Sequence, residues 1–310
     1  MSGTRSTTAR RTTTGRRPPA RRTAAKRRPP TRRGKRGAPP SSWRSWLPLG
    51  LVGLVVLGVV VLVRSIEDPD TVSLTGSCTV PGTDLALSAE QAGSAATIAA
   101  VGRARGLPER AVVIALATAQ QESTLRNLDY GDRDSLGLFQ QRPSQGWGTP
   151  EQVQDPVYAA GKFYDGLVRV PNWESLRVTD AAQRVQRSGF PEAYQKHSTM
   201  AEQLTAAFTA PEPGRLTCSY EAQAPGGRLS ARVTAAATAV ESELGLTATE
   251  RFGAVHVGPG AGWPAATWAV AHAERLGLRS VSFAGSEWTP AGGWAPSDAD
   301  DSAVRLEVTR

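Results

Sequence analysis

Glu122 is the residue of this sequence best placed for acid–base chemistry. It stands before Ser123 near the end of a segment that reads as a helix, where the macrodipole is negative. A carboxylate is disfavoured there and its pKa rises. A carboxyl group that stays protonated near neutral pH can donate a proton to a leaving oxygen. Three, four, seven and eleven residues earlier lie Ala119, Thr118, Ala115 and Ala111, a face small enough for another chain or a substrate to approach closely. Taken alone, a Glu at a helix end is most often a solvated surface residue. Hydrolysis of a glycosidic bond would also need a second carboxylate across the bond. Asp129, Asp132 and Asp134 are the nearest in sequence, although Asp in a Gly-containing loop commonly forms turns.

Glu122-Ser123, a polar loop, then Gly137-Leu138-Phe139-Gln140 and Pro143 resemble the lytic transglycosylase signature. In that family a Glu-Ser pair ends a helix, and a Gly-Leu-Met-Gln segment packs across the active-site groove. The resemblance covers residues 85–210 at most. It implies a lysozyme-like fold and cleavage of bacterial peptidoglycan glycan strands, of lytic transglycosylase or muramidase type. Glu122 would be the general acid and base, and would leave a 1,6-anhydro end. Ser123, Phe139, Gln140 and Tyr194 would serve substrate binding, with Phe139 in place of the usual Met. The family's Ala-Tyr-Asn-Ala-Gly segment, whose Tyr supports the catalytic Glu, is replaced by Ala182-Gln183-Arg184-Val185-Gln186-Arg187-Ser188-Gly189-Phe190-Pro191. That stretch has no Tyr; Tyr194 is the nearby candidate stand-in, or a packed core residue. The departure keeps a second function open: a non-catalytic wall-binding or scaffold protein that retains the fold.

The elements that must hold these residues are mainly helical. Ser88 with Gln91 forms a capping box ahead of a helix that Gly106 ends. Pro108 and Glu109 suit a first turn of the next helix, which runs to Ser123. Further helices are expected at 155–169, 179–188 and 198–209, with no convincing strand alternation. Trp147 and Trp173 would stack on sugars or fill the core. Cys78 and Cys218, the only two cysteines, stand at the ends of this stretch. Outside the cell a bridge between them can persist, and it would bracket one folded unit.

Farther along, Arg228–Leu244 and Trp263–Leu276 read as helices. Residues 254–257, 280–283 and 304–308 read as strands, giving a small α/β domain. Trp263, Trp268, Trp288 and Trp294 would form its core or a binding face. The stretch 268–277 faintly resembles actinobacterial wall-associated domains related to zinc peptidases. Their His-x-Asp-His-type motif has no counterpart in Asp301–Val308, and His256 with His272 does not make a zinc site. An accessory role without metal or other cofactor is therefore expected.

Charge completes the outline. The 310 residues carry a net charge of +8, yet residues 1–45 hold 15 of the 36 Lys and Arg and no acidic residue. The remainder is acidic, with 21 basic against 28 acidic residues. Trp46 to Val63 is an uninterrupted apolar run, about 27 Å long as a helix, enough to span a bilayer. The residues that follow, Arg64-Ser65-Ile66-Glu67-Asp68, fit a signal-peptide cleavage site poorly. The basic flank predicts an N-terminus inside the cell and the rest outside. A tail of Arg, Thr, Pro and Ala reads as disordered and as touching anionic lipid rather than nucleic acid. The expected organisation is a disordered cytoplasmic tail (1–45), a transmembrane signal anchor (46–64), a linker (65–84), a mainly α lysozyme-like domain (85–218), a linker (219–227) and a small α/β accessory domain (228–310). Expected partners are peptidoglycan glycan strands, the membrane, and cell-wall or division proteins.

Overall fold

The computed structural model describes residues 75–221, 226–300 and 302–309, which fall in one compact unit. Among them no helix is long and apolar enough to cross a membrane. The expected tail and the span 46–63 lie outside the described residues.

The described chain is mainly helical with two antiparallel sheets. Its centre is helix α1 (Ala89–Ala104), buried along nearly its whole length. The capping box reads out as expected: the Ser88 hydroxyl accepts from Gln91 N at 3.2 Å, and Ser88 N donates to Gln91 Oε1 at 3.0 Å. Two orphan amides at the start of α1 are thereby satisfied. Helix α2 (Glu109–Ser123) follows Pro108 and packs on α1. Short α3 (Pro150–Gln154), then α4 (Pro156–Leu167), α5 (Val178–Gln186) and α6 (Ser198–Thr209) complete the helical part. Tyr164 on α4 donates to Ile98 O at 2.9 Å. Gly102 makes room for it, since a Cβ there would lie 2.8 Å from the Tyr164 hydroxyl.

Three short strands, β1 (Ser77–Thr79), β2 (Ala86–Ser88) and β3 (Thr217–Ser219), form a small sheet at the margin of the helices. The expectation of no strand here fails on these three-residue elements, which are too short to show a period. Cys78 faces Cys218 across β1 and β3, and the two form a disulfide. It closes a loop spanning 140 residues and restricts the unfolded chain accordingly. Replacing both cysteines with Ser is expected to cost about 2–4 kcal/mol, read as a lower urea midpoint. A midpoint equal to that of the wild type would show that the bridge adds nothing.

The remaining residues build α7 (Leu229–Ala239), a π-helical turn (Val240–Leu244), β4 (Ala248–Arg251), β5 (Ala254–Val257), α8 (Gly262–Ala271), α9 (Ala273–Leu276), β6 (Leu278–Phe283), β7 (Ser286–Thr289), β8 (Gly293–Pro296) and β9 (Val304–Val308). Their sheet has the order β4-β5-β9-β6-β7-β8 and every pairing in it is antiparallel. The sequence suggests three strands; six are present. Helix α8 lies against this sheet and also against α1 and α6, so the two parts share buried surface. Trp268 and Trp288 are fully buried, and Trp263 meets Phe283 and Trp294 edge-on. Trp263, Trp268 and Trp288 are core residues, and the partly buried Trp294 packs against them.

Candidate functional site

Glu122 sits on the last turn of α2, which Thr124 ends in the left-handed conformation at φ 55°. Ser123 is buried. Its hydroxyl donates to Ala119 O at 3.1 Å and to Leu138 O at 2.8 Å. The second bond fastens the turn Gly137–Gln140 to the end of α2. Gly137 is required in that turn: its φ is +76°, and a Cβ would lie 2.2 Å from Val153 O.

Tyr194 comes to Glu122 from the segment before α6. Its hydroxyl donates to Glu122 Oε1 at 2.7 Å, and the ring is fully buried. The residue is thus both a core tyrosine and the partner of the carboxyl group. Gln186, the last residue of α5, also lies against the carboxyl and donates through Nε2 to Phe139 O at 2.8 Å. Burial pushes the Glu122 carboxyl above its ordinary value, and the hydrogen bonds from Tyr194 and Gln186 only partly oppose this. Burial, with the nearby Glu122 charge, likewise pushes the Tyr194 phenol upward. A carboxyl whose acid form is favoured by burial, with one oxygen oriented by a phenol, is suited to donate a proton.

Phe139 is fully buried and stacks on Phe163, with ring centroids 4.8 Å apart. Its carbonyl, rather than its ring, reaches toward Gln186. Gln140 is half-buried at φ 47°, and its Nε2 donates to Tyr130 O at 3.2 Å and Gly137 O at 3.4 Å. In this state Gln140 ties the polar loop together. Asp134 accepts from Ser144 N and from Arg142 Nε, both at 2.8 Å, and these bonds hold its carboxyl well below the ordinary range. It is a turn-stabilising carboxylate. The structure therefore brings Glu122, Ser123 and Tyr194 together and places Phe139 and Gln140 in the supporting turn. Gln186 is the member that sequence reasoning passed over, although it lies within the stretch 182–191 already marked as the family segment's counterpart.

Replacing Tyr194 with Phe removes the donor that favours the ionised carboxyl. If Glu122 is the acid, its pKa should rise further and the alkaline limb of the pH–rate profile should move up. Loss of one orienting hydrogen bond is expected to lower turnover about tenfold. An unchanged alkaline limb would mean that the bond to Tyr194 does not tune Glu122.

A scan of the chain against protein-family models finds no match, and a search of curated proteins finds none either.

Proposed function

We propose that this chain is a membrane-anchored enzyme that cleaves peptidoglycan glycan strands, of lytic transglycosylase or muramidase type, built on a lysozyme-like helical domain. The observation that carries this reading is the part-buried Glu122: burial pushes its carboxyl above its ordinary value, and it accepts from Tyr194 at 2.7 Å. Its sequence neighbourhood supports it: Glu122-Ser123 and Gly137–Gln140, which the transglycosylase signature joins, are here tied by the bond from Ser123 to Leu138 O. Tyr194 supplies the phenol that the stretch 182–191 lacks.

In this mechanism the Glu122 proton passes to the oxygen linking N-acetylmuramic acid to N-acetylglucosamine, and the glycosidic bond breaks. The resulting carboxylate takes the proton of the sugar's own C6 hydroxyl. That oxygen closes on C1, and Glu122 returns to its acid form. Tyr194 steadies the carboxylate between the two steps. The span 46–64 would hold the domain against the outer face of the membrane, facing the wall.

The test is digestion of purified peptidoglycan by the full-length chain, followed by mass spectrometry of the released fragments. 1,6-Anhydro ends are expected. Reducing ends would assign a hydrolytic, muramidase outcome. Binding to wall material with no fragments released would favour a scaffold that retains the fold without turnover.

A further inference from the structure

Phe252 is 99% exposed, more than any other large apolar side chain among the described residues. A single exposed apolar residue needs no explanation by itself. Phe252, however, combines exposure with a left-handed backbone, φ 52°. It and Gly253, at φ 80°, are the two central residues of the turn that joins β4 to β5, closed by the pair Arg251 and Ala254. Such two-residue turns favour Asn-Gly, because a bulky side chain crowds the backbone at positive φ. Neither the core nor the turn calls for phenylalanine here, and an outlier that folding does not require points to function.

The tip projects from a definite end of the six-stranded sheet. Ala254 pairs with Glu307, and Leu278 pairs with Val308, so the starts of β5 and β6 and the end of β9 lie level with it. β5 and β6 flank β9 and are therefore about 10 Å apart. Helix α9 leads into β6 through Gly277, and Glu274 on α9 accepts from Thr75 N at 2.8 Å and from Gly76 N at 3.0 Å. Thr75 is thus held at the sheet end that carries Phe252. The apolar run 46–63 ends twelve residues before Thr75. That length of chain spans at most about 40 Å.

The tip is also cationic. Arg251 precedes Phe252 and is exposed. A Cβ on Gly253 would lie 3.6 Å from Leu229 Cδ2, which puts the start of α7, with exposed Arg228, beside the turn. Among the described residues neither arginine has an ion-pair partner. The acids at this end are engaged: Glu250 accepts from Thr234 Oγ1 at 2.9 Å, Glu274 takes the two amides, and Glu307 pairs with Arg279 and Arg305. An exposed ring beside unpaired arginines matches the headgroup layer of an anionic bilayer. Aromatic rings settle at that interface, and each basic residue near it adds attraction.

We propose that the β4–β5 tip docks on the anionic bilayer that the run 46–63 would cross, with Phe252 entering the headgroup layer and Arg228 and Arg251 meeting lipid phosphates. One ring and two arginines bind weakly, and they suffice because the tether keeps the tip at high local concentration. Docking fixes which side of the molecule faces the membrane. The inference rests on the membrane-anchor reading and not on the chemistry of Glu122.

The test places the full-length chain in nanodiscs of phosphatidylglycerol or of phosphatidylcholine, each with some lipid carrying a nitroxide on its headgroup. Cys78 and Cys218 are joined, so Ser230→Cys, exposed next to Leu229, takes a single fluorescent label. Strong quenching is expected in phosphatidylglycerol and weaker quenching in phosphatidylcholine. None is expected for the same label at Asp298→Cys, which lies beside the turn 284–285 at the other end of the sheet. Phe252→Asn should remove the quenching at Ser230→Cys and also raise the urea midpoint, because Asn fits the turn better. A ring needed for folding would instead lower that midpoint, which would overturn the proposal. Arg251→Gln should lower the ratio of docked to free tip about fivefold, the worth of one basic residue at an anionic surface. A chain that never enters the discs would remove the anchor reading and this proposal with it. A chain that enters them with Ser230→Cys unquenched, equally quenched in both lipids, or equally quenched after Phe252→Asn would overturn the docking alone.

Discussion

Glu122→Gln is expected to lower release of peptidoglycan fragments by about 10²–10⁴-fold, the usual worth of general acid–base catalysis. The substitution keeps the side chain's size, and the amide oxygen can still accept from Tyr194. What disappears is the transferable proton. The structure adds a pH signature. Burial raises the Glu122 pKa, so the acid form needed for the first step persists to higher pH than in an exposed Glu and is lost as pH rises through that value. The alkaline limb of wild-type activity should therefore lie above the ordinary carboxylate range, and residual Glu122→Gln activity should lack that limb. Unchanged fragment release by Glu122→Gln would remove Glu122 from the chemistry and, with it, the reading of the Tyr194 contact as a catalytic arrangement. Unchanged thermal unfolding of the variant would confirm that a loss arises from chemistry and not from collapse of the α2 end.

The helices were legible because their signals are local. Ser88 and Gln91 mark the start of α1, and Pro108 with Glu109 marks α2, through bonds and dipoles acting within one turn. The strands were harder. β4 has the burial pattern of an exposed edge, and β8 carries Gly293 and Pro296, so neither shows a buried alternate face. The disulfide could be read because the chain offers only one pair. The candidate site was legible only in part. Glu122 stood out through the residues around it; Tyr194 lies 72 positions away with no period linking the two, so it was named only through the family resemblance, as a stand-in for the missing Tyr. Gln186 was hidden for the same reason: its role appears only when α5 brings it to the carbonyl of Phe139. The buried network around Glu243 left no mark at all, because its partner Thr97 is 146 residues distant.

That network sets the second large effect: Glu243→Ala is expected to cost about 1–3 kcal/mol of stability, because the buried donors of Thr97 and Trp268 lose their acceptor. Glu243 is 5% exposed and accepts from Thr97 Oγ1 at 2.6 Å, Trp268 Nε1 at 2.8 Å and Arg275 Nη2 at 2.8 Å. His272 Nε2 lies 3.1 Å from Glu243 Oε2. Because Arg275 Nε donates to His272 Nδ1 at 3.2 Å, the His272 proton belongs on Nε2 and the imidazole is neutral. Burial alone would raise the Glu243 carboxyl, but His272, Arg275 and Thr97 together outweigh it and hold the group well below its ordinary value. Burial keeps the His272 pKa low as well. Both groups act in the same direction with pH. Below about pH 6.5 an unfolded His takes up a proton that buried His272 refuses. Below the ordinary Glu range the unfolded carboxyl does the same, and the stability from Glu243 is lost as pH falls through its depressed value. Urea midpoints of the wild type should thus fall from pH 7.5 to pH 5 through His272, with smaller parts from His197 and His256, whose values burial also lowers, and fall further in stronger acid through Glu243. Glu243→Ala should start lower and show a smaller second fall, the remainder coming from depressed carboxylates such as Asp134. The substitution leaves Trp268 Nε1 and the Thr97 hydroxyl as buried donors without this acceptor, so the loss bears on the joint between α1 and the α/β part. If Glu243→Ala and wild type share one midpoint at pH 7.5, the apolar contact of α8 with α1 and α6 alone holds the two parts together, and the buried charges add no stability there.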